Sequence, residues 1–285
     1  MGQLLLSGYT YHPAHGPCWQ VDALTTTPTQ RYIFPVWNRV LRLQLLAVRY
    51  CIGRYDLATQ QHTPCPRRRQ VKSPYQNCYP CFKATGFNPA FYNVPRSQLS
   101  PWQQAYNQQP HCTYLAYWGS GVVKVGIALQ TSIQQRWLAQ GARAAMILQA
   151  AEDAYQARTL EVQVSKPLHL PERITGAQKK QWLNIPHRFA EAALGLVQHQ
   201  QAIAQALALH EVSHTVQDLQ PYYFPAPPSH PIVDADQKQQ AVAGRVLGMV
   251  GELVVYEAGD CFWMCALKKY LGSAYVRLSA VPTAT

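Results

Sequence analysis

Hydrophobic and polar positions follow a short period at both ends of the chain and a longer one in its middle. Over residues 1–50 the runs LLLSGYTY, CWQVDAL and VLRLQLLAVRYC are apolar, β-branched or aromatic, and Pro and Gly interrupt them, which predicts strands. Residues 51–100 show little periodicity and a turn-like order of Pro, Arg, Cys, Gln and Asn. PWQQAYNQQP, residues 101–110, reads as a connector or a surface helix. TYLAYW and VVKVGIAL, joined by Gly119-Ser120-Gly121, predict a hairpin. A helix capped by Ser132 and stopped by Gly141 comes next. AAMILQAA is a third strand candidate, though its alanines leave helix open, and AEAALGLVQHQQAIAQALALHEVSHTVQDL is helical. After the Pro-rich YYFPAPPSHP, the runs AVAGRVLGMVG, ELVVYEA, CFWMCAL and AYVRLSA predict strands. These form either a small barrel or a sheet completed by the N-terminal strands.

The expected fold class is therefore mixed α+β, in three parts. A β-rich region over 1–100 contains the cysteine-bearing stretch 51–82, an α/β core with helices occupies 101–220, and a C-terminal β module spans 221–285. A chain of 285 residues, 48% hydrophobic and 14% charged, can bury a core and is no disordered tail. Charge changes the picture more. Against 14 Asp and Glu stand 25 Lys and Arg, a formal +11, which favours an anionic partner, nucleic acid first; a solubilising surface is the plainer alternative. No run approaches the roughly 20 apolar residues of a membrane span, and MGQLLLSGYTYHP lacks a basic leader and a signal core. A cytoplasmic location is expected, with reduced cysteines.

Four of the eight cysteines, Cys51, Cys65, Cys78 and Cys81, fall within 31 residues as C-x13-C-x12-C-x2-C. A C-x2-C turn sets two thiolates on one corner of a tetrahedron, so the set predicts a structural zinc, closed to water by its four ligands. His62 is a substitute ligand, and buried free thiols are the alternative. Arg54, Arg67, Arg68, Arg69 and Lys72 surround the cluster with Tyr75, Tyr79 and Phe82 interleaved, a composition suited to phosphate contacts and base stacking. A solvated basic face would look the same. Cys18, Cys112, Cys261 and Cys265 sit among apolar neighbours and read as core.

The segment CTYLA…KVGIA…QQRW resembles the core of the GIY-YIG nuclease superfamily: a hairpin, a helix bearing an arginine, and a later helix bearing a glutamate. The resemblance places the first motif's tyrosine at Tyr114 and the second motif's glycine at Gly126. Lys124 stands where a tyrosine is usual, the arginine is Arg136, and ARTLEVQV offers Glu161. It implies a Mg- or Mn-dependent phosphodiesterase in which Glu161 holds the metal, Tyr114 helps activate water and Arg136 stabilises charge on phosphate. These residue types suit those roles, since a carboxylate is a hard ligand and a guanidinium forks onto phosphate oxygens. Lys124 leaves open a non-catalytic binding module that keeps the fold. The whole layout, with β start, spread cysteines, YLA…VKVGI…RW…QGA and β tail, also resembles a bacterial family of unknown function.

HEVSH, residues 210–214, fits H-E-x-x-H, which on a helix puts His210 and His214 on one face beside Glu211, as in zinc proteases. No third ligand follows on a helix. A polar helix end is the simpler reading, and a protease is the third functional class.

Overall fold

The computed structural model describes residues 3–57, 59–166, 168–171, 173–207, 215–228, 231–238 and 241–278. It is mixed α+β and divides into two compact units, residues 1–87 with 222–285, and residues 88–221.

In chain order the first unit opens with β1 (Leu4–His12), β2 (Gly16–Ala23), β3 (Gln30–Pro35) and β4 (Val40–Leu45). Leu41 and Leu43 of β4 are buried while Arg42 and Gln44 are exposed, the period-two pattern of a strand with one covered face. Four short strands follow: β5 (Arg49–Tyr50), β6 (Arg54–Asp56), β7 (Gln61–Thr63) and β8 (Gln70–Val71). β5 pairs with β8 and β6 with β7, and helix α1 (Tyr79–Thr85) closes the segment.

The second unit begins with α2 (Pro101–Asn107), so PWQQAYNQQP is a helix, capped by Ser100 Oγ accepting from the Gln103 N–H at 3.2 Å. The hairpin β9 (His111–Gly119) and β10 (Val122–Leu129) forms as expected. After it come α3 (Ile133–Gln140), β11 (Ala144–Ala151), α4 (Ala154–Ser165), α5 (Gly176–Leu183), α6 (Phe189–Leu207) and β12 (Gln217–Asp218). Ser132 holds the N-cap position of α3 without a side-chain capping bond, and Gly141 ends the helix in the left-handed region at φ 82°. The strands form an antiparallel sheet in the order β10-β9-β11-β12.

Strand alternation divides this sheet into two chemically distinct faces. Leu115, Val123, Val125, Met146 and Leu148 are buried against Val164 of α4 and Ala192, Leu196 and Ile203 of α6. Tyr114, Ala116, Lys124 and Gly126 share the opposite face, with Tyr114 directly across from Gly126 and Ala116 from Lys124.

The chain then returns to the first unit with β13 (Ile232–Asp234), β14 (Ala243–Val250), β15 (Leu253–Ala258), β16 (Cys261–Ala266) and β17 (Ala274–Leu278). The nine-stranded order is β13-β16-β15-β14-β4-β17-β1-β2-β3. The last strand thus lies between β4 and β1, and the C-terminal strands complete the N-terminal sheet. β13 and β3 are its edges among the described residues, so of the two expected arrangements the barrel does not close and the completed sheet forms.

Candidate functional site

Between β4 and α1 the aliphatic core is small, with Ile52 and Leu57 buried. The buried centre is Cys51, Cys65, Cys78 and Cys81, with only Val71 packed against them. All four sulfurs lie within 4.8 Å of one another, and those of Cys65 and Cys78 are 4.0 Å apart. Sulfurs on a tetrahedral ion at about 2.3 Å are separated by roughly 3.8 Å, so a small inward adjustment completes a metal site. Local structure explains the grouping. Cys78 is the N-cap of α1 and Cys81 lies in its first turn, with Pro80 between them where no N–H is needed. The Cys51 sulfur accepts N–H bonds from Gly53 at 3.4 Å and Cys78 at 3.1 Å. Burial pushes the Cys51 thiol up to about 11 and raises that of Cys81. At Cys65 burial also acts upward, but the N–H groups of Arg69 and Arg67 together with the neighbouring Cys51 and Cys81 outweigh it and the thiol is lowered. Adjacent buried thiolates repel unless a cation lies among them. Donor number, softness and spacing fit a structural metal such as zinc. His62 stays outside the cluster, its ring edge-on to Tyr55 at 5.4 Å.

Of the surrounding cations, Arg67, Arg69 and Lys72 are exposed and Arg54 is half-buried on β6. Arg68 is turned inward instead: its guanidinium donates to the carbonyls of Leu24 and Thr26 and to Thr29 Oγ1 at 2.7 Å, so it ties two loops together rather than facing a ligand. Tyr75, Tyr79 and Phe82 are about two-thirds exposed, at 68%, 70% and 64%. Helical spacing puts Tyr79, Phe82 and Lys83 on one side of α1, with Lys83 Nζ 5.7 Å from the Tyr79 ring centre.

In the second unit the structure gathers polar groups around Tyr114. Its ring is fully buried and edge-on to Trp137 of α3 at 6.0 Å. Its hydroxyl donates to Gln140 Oε1 at 3.2 Å, and Lys124 Nζ donates to the same oxygen at 3.2 Å. Lys124 also stands 5.8 Å from the Trp118 ring centre. Arg136, one helical turn before Gln140 and exposed, is close enough to the Tyr114 hydroxyl to favour its ionised form. Burial raises the Tyr114 pKa above the ordinary tyrosine value, Arg136 opposes the rise by charge and hydrogen bond, and Glu161 adds to it. The phenol is neutral around pH 7, a donor and acceptor rather than a base.

Glu161 arrives differently. It sits on the buried side of α4, and Thr113 Oγ1, from the other face of β9, donates to the Ala157 carbonyl of that helix at 2.9 Å. Its carboxylate is close enough to act on Tyr114 electrostatically, but its ion partner is Arg158 at 2.5 Å on its own helix. Tyr114, Lys124 and Arg136 therefore share one face, while Glu161 approaches from α4 and is already neutralised.

The family follows from the match of a sequence profile over residues 39–273, described as a protein of unknown function, DUF2797. The chain belongs to the DUF2797 family. That span holds the cysteine cluster, the hairpin and five of the nine strands of the large sheet of this DUF2797 chain. No curated protein and no solved structure matches it.

Two residues of this DUF2797 site escaped sequence reasoning. Gln140 joins the tyrosine to the lysine, and its position four residues after Arg136 on a helix is the signal that could have found it. Arg158, three residues before Glu161, is the other. Cys18, Cys112 and Cys265 are buried as expected, whereas Cys261 is exposed. His210, Glu211 and His214 lie outside the described residues. Among the described residues no helix is long and apolar enough to cross a membrane.

Proposed function

We propose that this protein binds nucleic acid and that its second unit cleaves phosphodiester bonds. One observation carries the proposal: a buried tyrosine and a lysine from two strands share Gln140 of a helix, and Arg136 of the same helix acts on the tyrosine hydroxyl. Burying Lys124 with Arg136 nearby costs desolvation of the lysine and like-charge repulsion, a cost that a bound phosphate would offset. In this reading Arg136 and Lys124 bind the phosphate oxygens, and the neutral Tyr114 hydroxyl positions the attacking water or donates to a non-bridging oxygen. Glu161 would hold Mg or Mn once Arg158 releases it, and the bound metal would supply positive charge for the developing oxyanion. The formal +11 supports an anionic polymer as substrate, and Arg67, Arg69 and Lys72 beside Tyr75, Tyr79 and Phe82 suit backbone contact with base stacking. The four cysteines hold zinc as a structural staple for that surface.

The Arg158–Glu161 ion pair favours a second reading, a binding module without cleavage. The deciding experiment incubates the full chain with labelled single- and double-stranded DNA and RNA, with Mg²⁺ or Mn²⁺ and with chelator. Metal-dependent products absent from an Arg136→Ala variant support the enzyme. Salt-sensitive binding without products supports the module, and neither binding nor cleavage overturns both.

A further inference from the structure

The large sheet of the first unit carries a feature that its packing does not require. Arg42 on β4 and Arg277 on β17 are directly opposite in an antiparallel register. Opposed residues project from the same face with Cβ atoms about 5 Å apart, and like charges there are destabilising. Among the described residues neither has a carboxylate partner; Arg277 Nε donates only to the neutral Gln44 Oε1, at 3.1 Å. By contrast, Arg245 on the neighbouring β14 is paired with Glu257. The sheet can thus pair an arginine across strands, and it leaves these two facing each other.

Both line a cavity of about 740 Å³. Lys269 and Tyr270 line the same cavity, fixed by Asp236, which accepts from Lys269 Nζ at 3.1 Å, the Tyr270 hydroxyl at 3.3 Å and the Ala266 N–H at 3.3 Å. Three cations against one carboxylate leave the cavity positive, and the carboxylate is already engaged. The volume is that of a small-molecule site, and apart from Gln44 apolar side chains supply the rest of the lining. Two adjacent guanidinium forks match the oxygens of a phosphate, which also removes their mutual repulsion.

We propose that this cavity is a phosphate-binding site for a ligand of mononucleotide size, held by Arg42 and Arg277 with Lys269 at its rim. The site lies in the first unit and does not depend on the chemistry proposed for Tyr114. The phosphate could belong to a free nucleotide or to a nucleic-acid chain.

The test is calorimetric titration of the full chain with adenosine 5′-monophosphate and inorganic phosphate at fixed ionic strength, on wild type, Arg42→Gln and Arg277→Gln. Saturable binding of both probes by wild type, weakened about tenfold or more in each variant, is expected for loss of one charge-assisted contact. Arg42 is exposed and Arg277 is half-buried, so the variants should fold. Their ligand-free melting temperatures should equal or exceed that of wild type, because the repulsion is gone. An oligonucleotide lacking terminal phosphates assigns the site to chain backbone if it competes with the nucleotide, and to free nucleotides if it does not. Absence of saturable binding, or equal binding by wild type and both variants, overturns the proposal. So does a lowered ligand-free melting temperature in both variants, which would make the arginines structural.

Discussion

The ring of Tyr114 lies over the bare Cα of Gly126, its cross-strand partner: a Cβ built there would meet Tyr114 Cζ and its hydroxyl oxygen at 2.6 Å. Gly126 is therefore a space requirement of the tyrosine. Gly126→Ala should cost about 1–3 kcal/mol by overpacking. The cost should largely vanish in a Tyr114→Ala background, as a double-mutant cycle in urea would record. Equal costs in both backgrounds would mean that the two residues do not constrain each other.

The cysteine cluster should carry about one zinc per chain by elemental analysis. Cys78→Ser with Cys81→Ser should abolish it and lower the melting temperature, because little besides the cysteines and Val71 forms that centre. Retention of the full metal content by this variant would exclude the site.

Arg136 and Glu161 should separate in their effects. Arg136→Ala should weaken nucleic-acid binding and reduce any cleavage by about a hundredfold or more, the usual loss for a charge-stabilising donor. Glu161→Gln should leave binding intact and abolish metal-dependent cleavage. Arg158→Gln, which removes that ion partner, should lower the metal concentration for half-maximal cleavage. An unchanged metal dependence in that variant would show that the ion pair does not gate the site.

Acid should destabilise the fold through its buried histidines. Burial lowers the pKa of His111 and of His187, where the Arg143 charge adds to the effect and Asp218 opposes it. Both are neutral in the fold, whereas the unfolded chain takes up their protons below about pH 6.5, so their contribution is complete above that value and is lost as pH falls through and below it. Each is worth about 1.4 kcal/mol per unit of depression. Urea midpoints at pH 7.5 and 5.0 should differ less for a His111→Gln, His187→Gln variant than for wild type. An undiminished difference would place the acid sensitivity elsewhere.

Periodicity and spacing determined much of this protein. Apolar and β-branched runs marked most strands of both sheets, though not β3, β12 or β13, and the C-x2-C turn marked two neighbouring thiols because a first helical turn brings residues three apart together. The tyrosine, lysine and arginine were legible one by one as types suited to phosphate. Only tertiary structure decided which of them meet. It turned Arg68 onto the carbonyls of Leu24 and Thr26, out of reach of any ligand, because loop carbonyls near a basic run compete with solvent for its donors. It inserted β17 between β4 and β1, which opens the sheet where a barrel was an alternative and sets Arg277 across from Arg42. It also brought Gln140 between Tyr114 and Lys124, and tied Glu161 to Arg158 before any metal could claim it. Sequence period fixes which face of an element a side chain occupies. Which faces meet depends on long-range pairing, and local pattern carries no record of that.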